Sequence, residues 1–418
     1  MNRLTTACAA ALSATTLFAA PTITGVTMSQ DANSRLVTIS YTLEGTAPAV
    51  VNVSVLSNGV DIGQAALDGA KGTVSGFVQP GLNTITWKPT RSWPGHVFQN
   101  KEISVQVKAW SPNSTPDYMI LDLEKPANIR YYDKTEDFPV ALGDDCYRTR
   151  YVIMRKIPAA GVEWRMGTPQ SEIDKIDGTG DWYQDQGDRE KTHYVTLTKD
   201  YYMAIYELTD YQYKYVESGV TTGTMKPATR SYNVVRGTGK VWPADGHTLD
   251  GTGWLTKFRD KFGGVYEFDL PTEAQWEFAC RAGTGTSWYN GKNIASGADV
   301  ADANLAAIAW YAKNSPVTGD PETHVVGLKE KNNYGLYDMI GNVGEICLDN
   351  AGGDKVTPYD PSQATDPKGA TTVSDKVIYR GRGCWDAQFT VSAGRRLAIS
   401  RSQDNFYEDG IRLCVTLP

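Results

Sequence analysis

Leu270-Pro271-Thr272-Glu273-Ala274-Gln275-Trp276-Glu277-Phe278-Ala279-Cys280-Arg281-Ala282-Gly283 is the stretch from which the architecture is read. Thr272 is placed to cap a helix, and Gln275 three residues later completes a capping box. Gly283 supplies the left-handed stop. Trp276, Ala279 and Cys280 then share one helical face. Glu207-Leu208-Thr209-Asp210-Tyr211-Gln212-Tyr213 repeats the signal, with Thr209 and Gln212 opening a second helix. Between and beyond these helices, residues 151–418 read as short strands and long loops. Loops of that length inside a compact domain have to be fixed by a metal, by disulfides or by dense aromatic packing. With 40 Gly, 23 Tyr and 11 Trp in 418 residues, the chain predicts a loop-rich, aromatic α+β fold rather than a helix bundle.

Upstream, residues 21–110 alternate with a period of two. Val37, Ile39, Tyr41 and Leu43 point one way, and Thr38, Ser40 and Thr42 the other. Val51, Val53 and Val55 repeat the pattern, as do Ile103, Val105 and Val107. Asn58-Gly59 between two such runs marks a tight hairpin. This predicts an all-β, immunoglobulin-like sandwich serving as a spacer or docking module. Residues 111–150 read as a linker with one strand, Tyr118 to Leu123. Residues 1–20 carry Arg3, an apolar run and small residues at Ala19 and Ala20, the pattern of a secretory leader cut after Ala19. The run falls short of the roughly 20 residues a span needs. The expectation is an extracytoplasmic protein, secreted or periplasmic, that does not span a membrane.

A formal net charge of −7 gives no electrostatic footprint for nucleic acid. Past the leader, five cysteines remain: Cys146, Cys280, Cys347, Cys384 and Cys414. No C-x-x-C spacing occurs, which argues against a zinc knuckle. The four histidines, His96, His193, His247 and His324, are scattered. His193 stands in a predicted strand, where a structural role is expected.

Several segments in order resemble the formylglycine-generating enzyme family, also called the sulfatase-modifying factor domain. They are 165–169 (RMGTP), 193–197 (HYVTL), 207–213 (ELTDYQY), 270–277 (LPTEAQWE), 334–345 (YGLYDMIGNVGE) and 380–385 (RGRGCW), closing with 410–413 (GIRL). The resemblance implies a C-type-lectin-like fold over residues 151–418. It leaves function open, since the family includes copper-dependent oxidases that convert a cysteine of sulfatases to formylglycine, iron enzymes of sulfur transfer, and binding proteins.

The oxidase needs two thiolates for a soft copper(I) ion. Aligned on Arg401, the family's cysteine positions fall on Gln388 and Ala393, and residues 385–413 contain no cysteine. Cys384 is the nearest thiol. Copper therefore enters only under the alternative of an altered site at Cys384, partnered in space by Cys414. The iron-type centre needs clustered histidines and a helical partner domain, neither of which is legible.

In the family, the segment matching 338–345 binds calcium. The resemblance implies Asp338, the carbonyls of Gly341 and Val343, and Glu345 as ligands of a structural calcium ion, with oxygen donors suited to a hard cation. The family's tryptophans flanking the glutamate are replaced here by Gly344 and Ile346. The segment matching 384–409 lines a groove or forms a variable ligand-binding face in relatives. Trp385, Asp386, Phe389, Arg395, Arg396, Asp404, Asn405, Phe406 and Tyr407 are the candidate ligand-binding residues, combining aromatic anchors with adaptable polar groups. Arg412 reads as a core support. The sequence favours a lectin-like binder of a protein or glycan over an oxidase.

Overall fold

The alternation of residues 21–110 folds into seven strands: β1 (Thr22–Gln30), β2 (Val37–Glu44), β3 (Ala49–Ser57), β4 (Val60–Asp61), β5 (Ser75–Val78), β6 (Gly81–Trp87) and β7 (Ile103–Trp110). One sheet has the order β1-β2-β6. In the other, β3 pairs with β7, β4 and β5. Val37, Ile39, Tyr41 and Leu43 of β2 are buried with Val51, Val53 and Val55 of β3 in one core, so a period of two becomes one dry face per sheet. Asn58 and Gly59 both take positive φ, as the two-residue hairpin requires. The computed structural model describes residues 20–61, 67, 69–89, 102–125, 129–176, 189–295, 299–315, 322–353, 356–402 and 409–418. The predicted leader, apart from Ala20, and His96 lie outside the described residues.

The head adds β8 (Tyr118–Asp122), β9 (Ile129–Tyr132), β10 (Tyr151–Ile157), β11 (Val162–Met166), β12 (His193–Leu197), β13 (Tyr201–Ala204), β14 (Glu345–Asn350), β15 (Lys376–Arg380), β16 (Leu397–Ser400) and β17 (Cys414–Thr416). Its described helices are α1 (Gln170–Ile176), α2 (Asp210–Ser218), α3 (Tyr232–Arg236), α4 (Trp254–Lys261), α5 (Glu273–Arg281) and α6 (Ala303–Ile308). The main sheet runs β17-β13-β10-β8-β9, with antiparallel pairing throughout. A three-stranded sheet β14-β15-β16 and the hairpin β11-β12 complete it. The protein is α+β.

Residues 111–150 depart from the expected linker. β8 and β9 both join the head's sheet, and Met119, Ile120, Leu121 and Tyr147 are buried in its cores. Apolar residues here had no visible period because the segment is packed on both sides.

Helix α5 is the head's axle. Thr272 and Gln275 form the capping box. Ala282, one residue earlier than expected, is the first left-handed residue at the C-terminus, with φ of 45°, and Gly283 follows at 88°. All nine residues of α5 are buried, so the predicted one-sided face is a helix enclosed all round. The Thr209–Gln212 box caps α2 as expected.

The sandwich is docked on the head. Phe77 meets Tyr266 edge-on with centroids 4.9 Å apart, and Trp110 packs on Tyr131 at 5.4 Å. Ser75 Oγ donates to the carbonyl of Ile129 at 3.2 Å. A Cβ on Gly76 would meet Val265 at 2.7 Å, so the close approach there depends on glycine. Among the described residues, no helix is long and apolar enough to cross a membrane.

Candidate functional site

The loop 338–344 turns tightly into β14. Asp338, Gly341 and Asn342 all have positive φ. A side chain at Gly341 would collide with the carbonyl of Trp310. At the loop's end, Glu345 is buried and gripped by Arg412, whose Nε lies 2.9 and 2.8 Å from its two oxygens. Arg412 Nη2 donates to Oε1 at 2.5 Å, and Trp276 Nε1 donates to Oε2 at 2.7 Å. Arg412 is thus the core support the sequence suggested.

Glu207, absent from the sequence-based candidates, sits beneath the loop. It is fully buried and accepts hydrogen bonds from Asn342 Nδ2 at 2.7 Å and from the N–H of Val343 at 3.3 Å. Burial, then the charges of Asp338 and Glu345, push its carboxyl well up. A polar residue in the otherwise apolar run 201–208 was the available signal.

Asp338 is buried as well. Its Oδ2 accepts the N–H of Gly327 at 2.6 Å, while Oδ1 is buried without a hydrogen-bond partner. Burial pushes this carboxyl up to about 6. An orphaned carboxylate oxygen beside a tight loop rich in carbonyls fits a hard cation. Asp338 and the carbonyls of Gly341 and Val343 are the donors that the family resemblance implies for such an ion. Glu345 brings charge, with both its oxygens already shared with Arg412 and Trp276. Among the described residues, no group of three or more His, Cys, Asp or Glu side chains is arranged to hold a metal ion, so this site depends on its backbone carbonyls.

Cys384 follows β15 and is fully buried. Its N–H donates to the carbonyl of Asn342 at 2.9 Å. Burial pushes its thiol up to about 12, with an opposing hydrogen bond from Ser315. Ser315 Oγ donates to the carbonyl of Glu322 at 2.6 Å and lies 3.0 Å from His324 Nε2. His324 Nε2 is then the donor of that pair, and the ring offers Ser315 no base. Cys414 is elsewhere, on β17, with its Sγ toward Gln275 Oε1. All five described cysteines are free thiols, and burial raises the pKa of each. Gln388 and Ala393, at the family's cysteine positions, are buried, and the Gln388 amide has no hydrogen-bond partner.

The predicted ligand surface divides. Trp385 is 36% exposed. Asp386 is half-buried, pairs with Arg382 at 3.2 Å and accepts the N–H of Gly383 at 2.8 Å. Phe389, Arg395 and Arg396 are corrected: all three are buried. Phe389 joins the main core, Arg395 pairs with Glu190 at 3.2 Å, and Arg396 forks onto Glu273 at 2.6 and 2.8 Å. Local sequence could not show that two acidic side chains from elsewhere in the chain, Glu190 and Glu273, would draw these arginines inward. Asp404, Asn405, Phe406 and Tyr407 lie outside the described residues.

Comparison with known proteins follows the same lines. The chain is 34% identical over 99 residues to the chaperone protein LppX of Paenibacillus barcinonensis, covering 20% of this chain and 32% of that protein. It is 31% identical over 112 residues to the formylglycine-generating enzyme of Thermomonospora curvata, covering 27% and 37%. The chain thus spans about a third of the length of these curated relatives. Among solved structures, Treponema denticola variable protein 1 superposes with a TM-score of 0.44 at 21% identity, covering 63% of this chain and 95% of that one. PvdO from Pseudomonas aeruginosa gives 0.44 at 19%, covering 63% and 94%. The profile of the sulfatase-modifying factor enzyme 1-like domain matches residues 176–413, more than half of the chain, and the protein therefore belongs to the FGE-sulfatase family.

Proposed function

We propose that this protein is an exported, lectin-like binding member of its family, which holds a protein or glycan ligand through the surface around Trp385 and Asp386. In this reading the predicted leader delivers it outside the cytoplasm and the sandwich positions the head. Calcium bound by Asp338, Gly341, Val343 and Glu345 stiffens the loop beneath the ligand surface.

The observation that carries the reading is the state of Cys384. A reactive or metal-binding cysteine needs a lowered thiol pKa and access. Cys384 is buried, its thiol is pushed up to about 12, and Cys414, on β17, is directed at Gln275 of helix α5. The alternative, a formylglycine-generating oxidase using copper at Cys384, needs a second thiolate, and residues 385–413 supply none.

The test pairs a copper(I) competition titration with a glycan and peptide array. The expected result is no tight copper(I) binding, and array binding that Trp385→Ala removes without lowering the melting temperature. Tight copper(I) binding abolished by Cys384→Ala would restore the oxidase.

A further inference from the structure

A cavity of about 190 Å³ opens between β12, β14 and the loop 357–372. That is more than ten times the roughly 10–15 Å³ a single water needs. Its walls come from segments other than the one around Trp385, with only Arg396 common to the predicted ligand surface. Asp349 lines it from β14 and is 1% exposed. Its Oδ2 accepts the N–H of Glu273 at 2.7 Å. No described residue donates to Oδ1, which leaves that oxygen open to whatever fills the cavity.

The rest of the lining narrows the chemistry. Arg396 is spent: Nε and Nη2 hold Glu273, and Nη1 holds the carbonyls of Arg189 and Thr357 at 2.8 and 2.9 Å. Four of the five N–H donors of a guanidinium are therefore in use, and no other Lys or Arg lines the cavity among the described residues. The Tyr359 ring already has Arg396 over it at 3.7 Å and the ring of His193 against it at 4.1 Å, so it offers an organic cation little open aromatic surface. Burial and the neighbouring Glu273 carboxylate raise the Asp349 carboxyl, which favours its neutral, hydrogen-donating form. His193 Nδ1 lies 3.2 Å from the carbonyl of Lys191, so Nδ1 is the donor of that pair. Thr371 and Thr372 at the rim add hydroxyls. Asp360, also in the lining, is already held by Ser362 N–H and Oγ at 2.9 and 2.7 Å and by Gln363 Nε2 at 3.3 Å, so the groups left over are mainly neutral donors and acceptors, which match a ligand whose groups each donate and accept.

We infer that the cavity at Asp349 is a binding site for a neutral polyhydroxylated ligand, a single sugar ring or polyol of similar size. Gly369 makes the site possible. It has φ of 75°, and a Cβ there would lie 2.7 Å from that of Asp349. The site does not depend on the Trp385 surface and stands or falls separately from it.

The test is saturation-transfer NMR on the full mature chain with glucose, galactose, mannose and N-acetylglucosamine, and with ethanolamine and inorganic phosphate as charged probes. At least one sugar should bind, and the charged probes should not. Asp349→Leu should weaken that sugar about tenfold or more. Asp349→Asn, whose amide copies a protonated carboxyl, should keep it within about threefold. Thr371→Phe at the exposed rim should also block it, which covers the case in which the leucine variant fails to fold. Trp385→Ala should leave it unchanged. The inference is overturned if no sugar binds, if ethanolamine or phosphate binds instead, if binding survives both Asp349→Leu and Thr371→Phe, if Asp349→Asn abolishes it, or if Trp385→Ala does.

Discussion

Arg412 and Glu345 form a closed fork in the centre of the head, each fully or almost fully buried. The same guanidinium donates to the carbonyls of Ala204 and Tyr337, both at 2.9 Å, so one side chain ties β13, the 338–344 loop and β14 together. Arg412→Met should leave Glu345 charged and buried with no cationic partner. The expected cost is about 3–5 kcal/mol in urea denaturation. Arg412→Lys should recover only part of it, because an ammonium cannot span both oxygens and two carbonyls.

If Asp338 completes a calcium site, calcium should raise the melting temperature of the protein and chelator should reverse the gain. Asp338→Asn should lose that response while remaining folded. The mutation removes a charge from an oxygen that has no hydrogen-bond partner, so its effect in chelator should be small. Differential scanning calorimetry with and without calcium reads both outcomes.

Asp349 sets a pH dependence of definite sign. Its carboxyl is raised by burial first and by the Glu273 carboxylate second. A raised acid binds its proton more tightly in the folded state. Its contribution to stability is therefore present below the ordinary carboxylate range and is lost as pH rises through the folded value. Asp349→Asn should stabilise the protein relative to wild type at alkaline pH, by about 1–3 kcal/mol, and do little at pH 4. Chemical denaturation across pH measures the difference.

Phe77→Ala should loosen the sandwich from the head. The Phe77–Tyr266 edge contact and its buried area are expected to contribute about 1–3 kcal/mol. Calorimetry should show one transition in the wild type dividing into two in the variant, with faster proteolysis between residues 110 and 130.

Much of this molecule follows from local rules. Thr272 with Gln275, and Thr209 with Gln212, cap their helices because a hydroxyl and an amide three residues apart satisfy each other's neighbouring backbone. The period of two in β2 and β3 turns directly into the buried face of a sandwich. The missing second cysteine is equally local, since no fold supplies a thiolate from a glutamine or an alanine.

What local patterning left open were choices made by distant partners. Residues 111–150 read as a linker with one strand, Tyr118 to Leu123; that strand is β8, and a second, β9, joins it because the sheet they enter is completed by β10, β13 and β17. Arg395 and Arg396 looked like surface recognition groups but turn inward to Glu190 and Glu273, more than a hundred residues away in the chain. The chain order of residue types determined the helices, the sandwich, the family and the loss of the copper pair, because each depends on neighbours within a few residues. Only the tertiary structure decided which polar groups are buried, Glu207, Asp338 and Asp349 among them, and that Asp338 keeps an oxygen without a partner. A side chain's solvation and pKa depend on whatever the fold packs against it, and no short-range pattern records that.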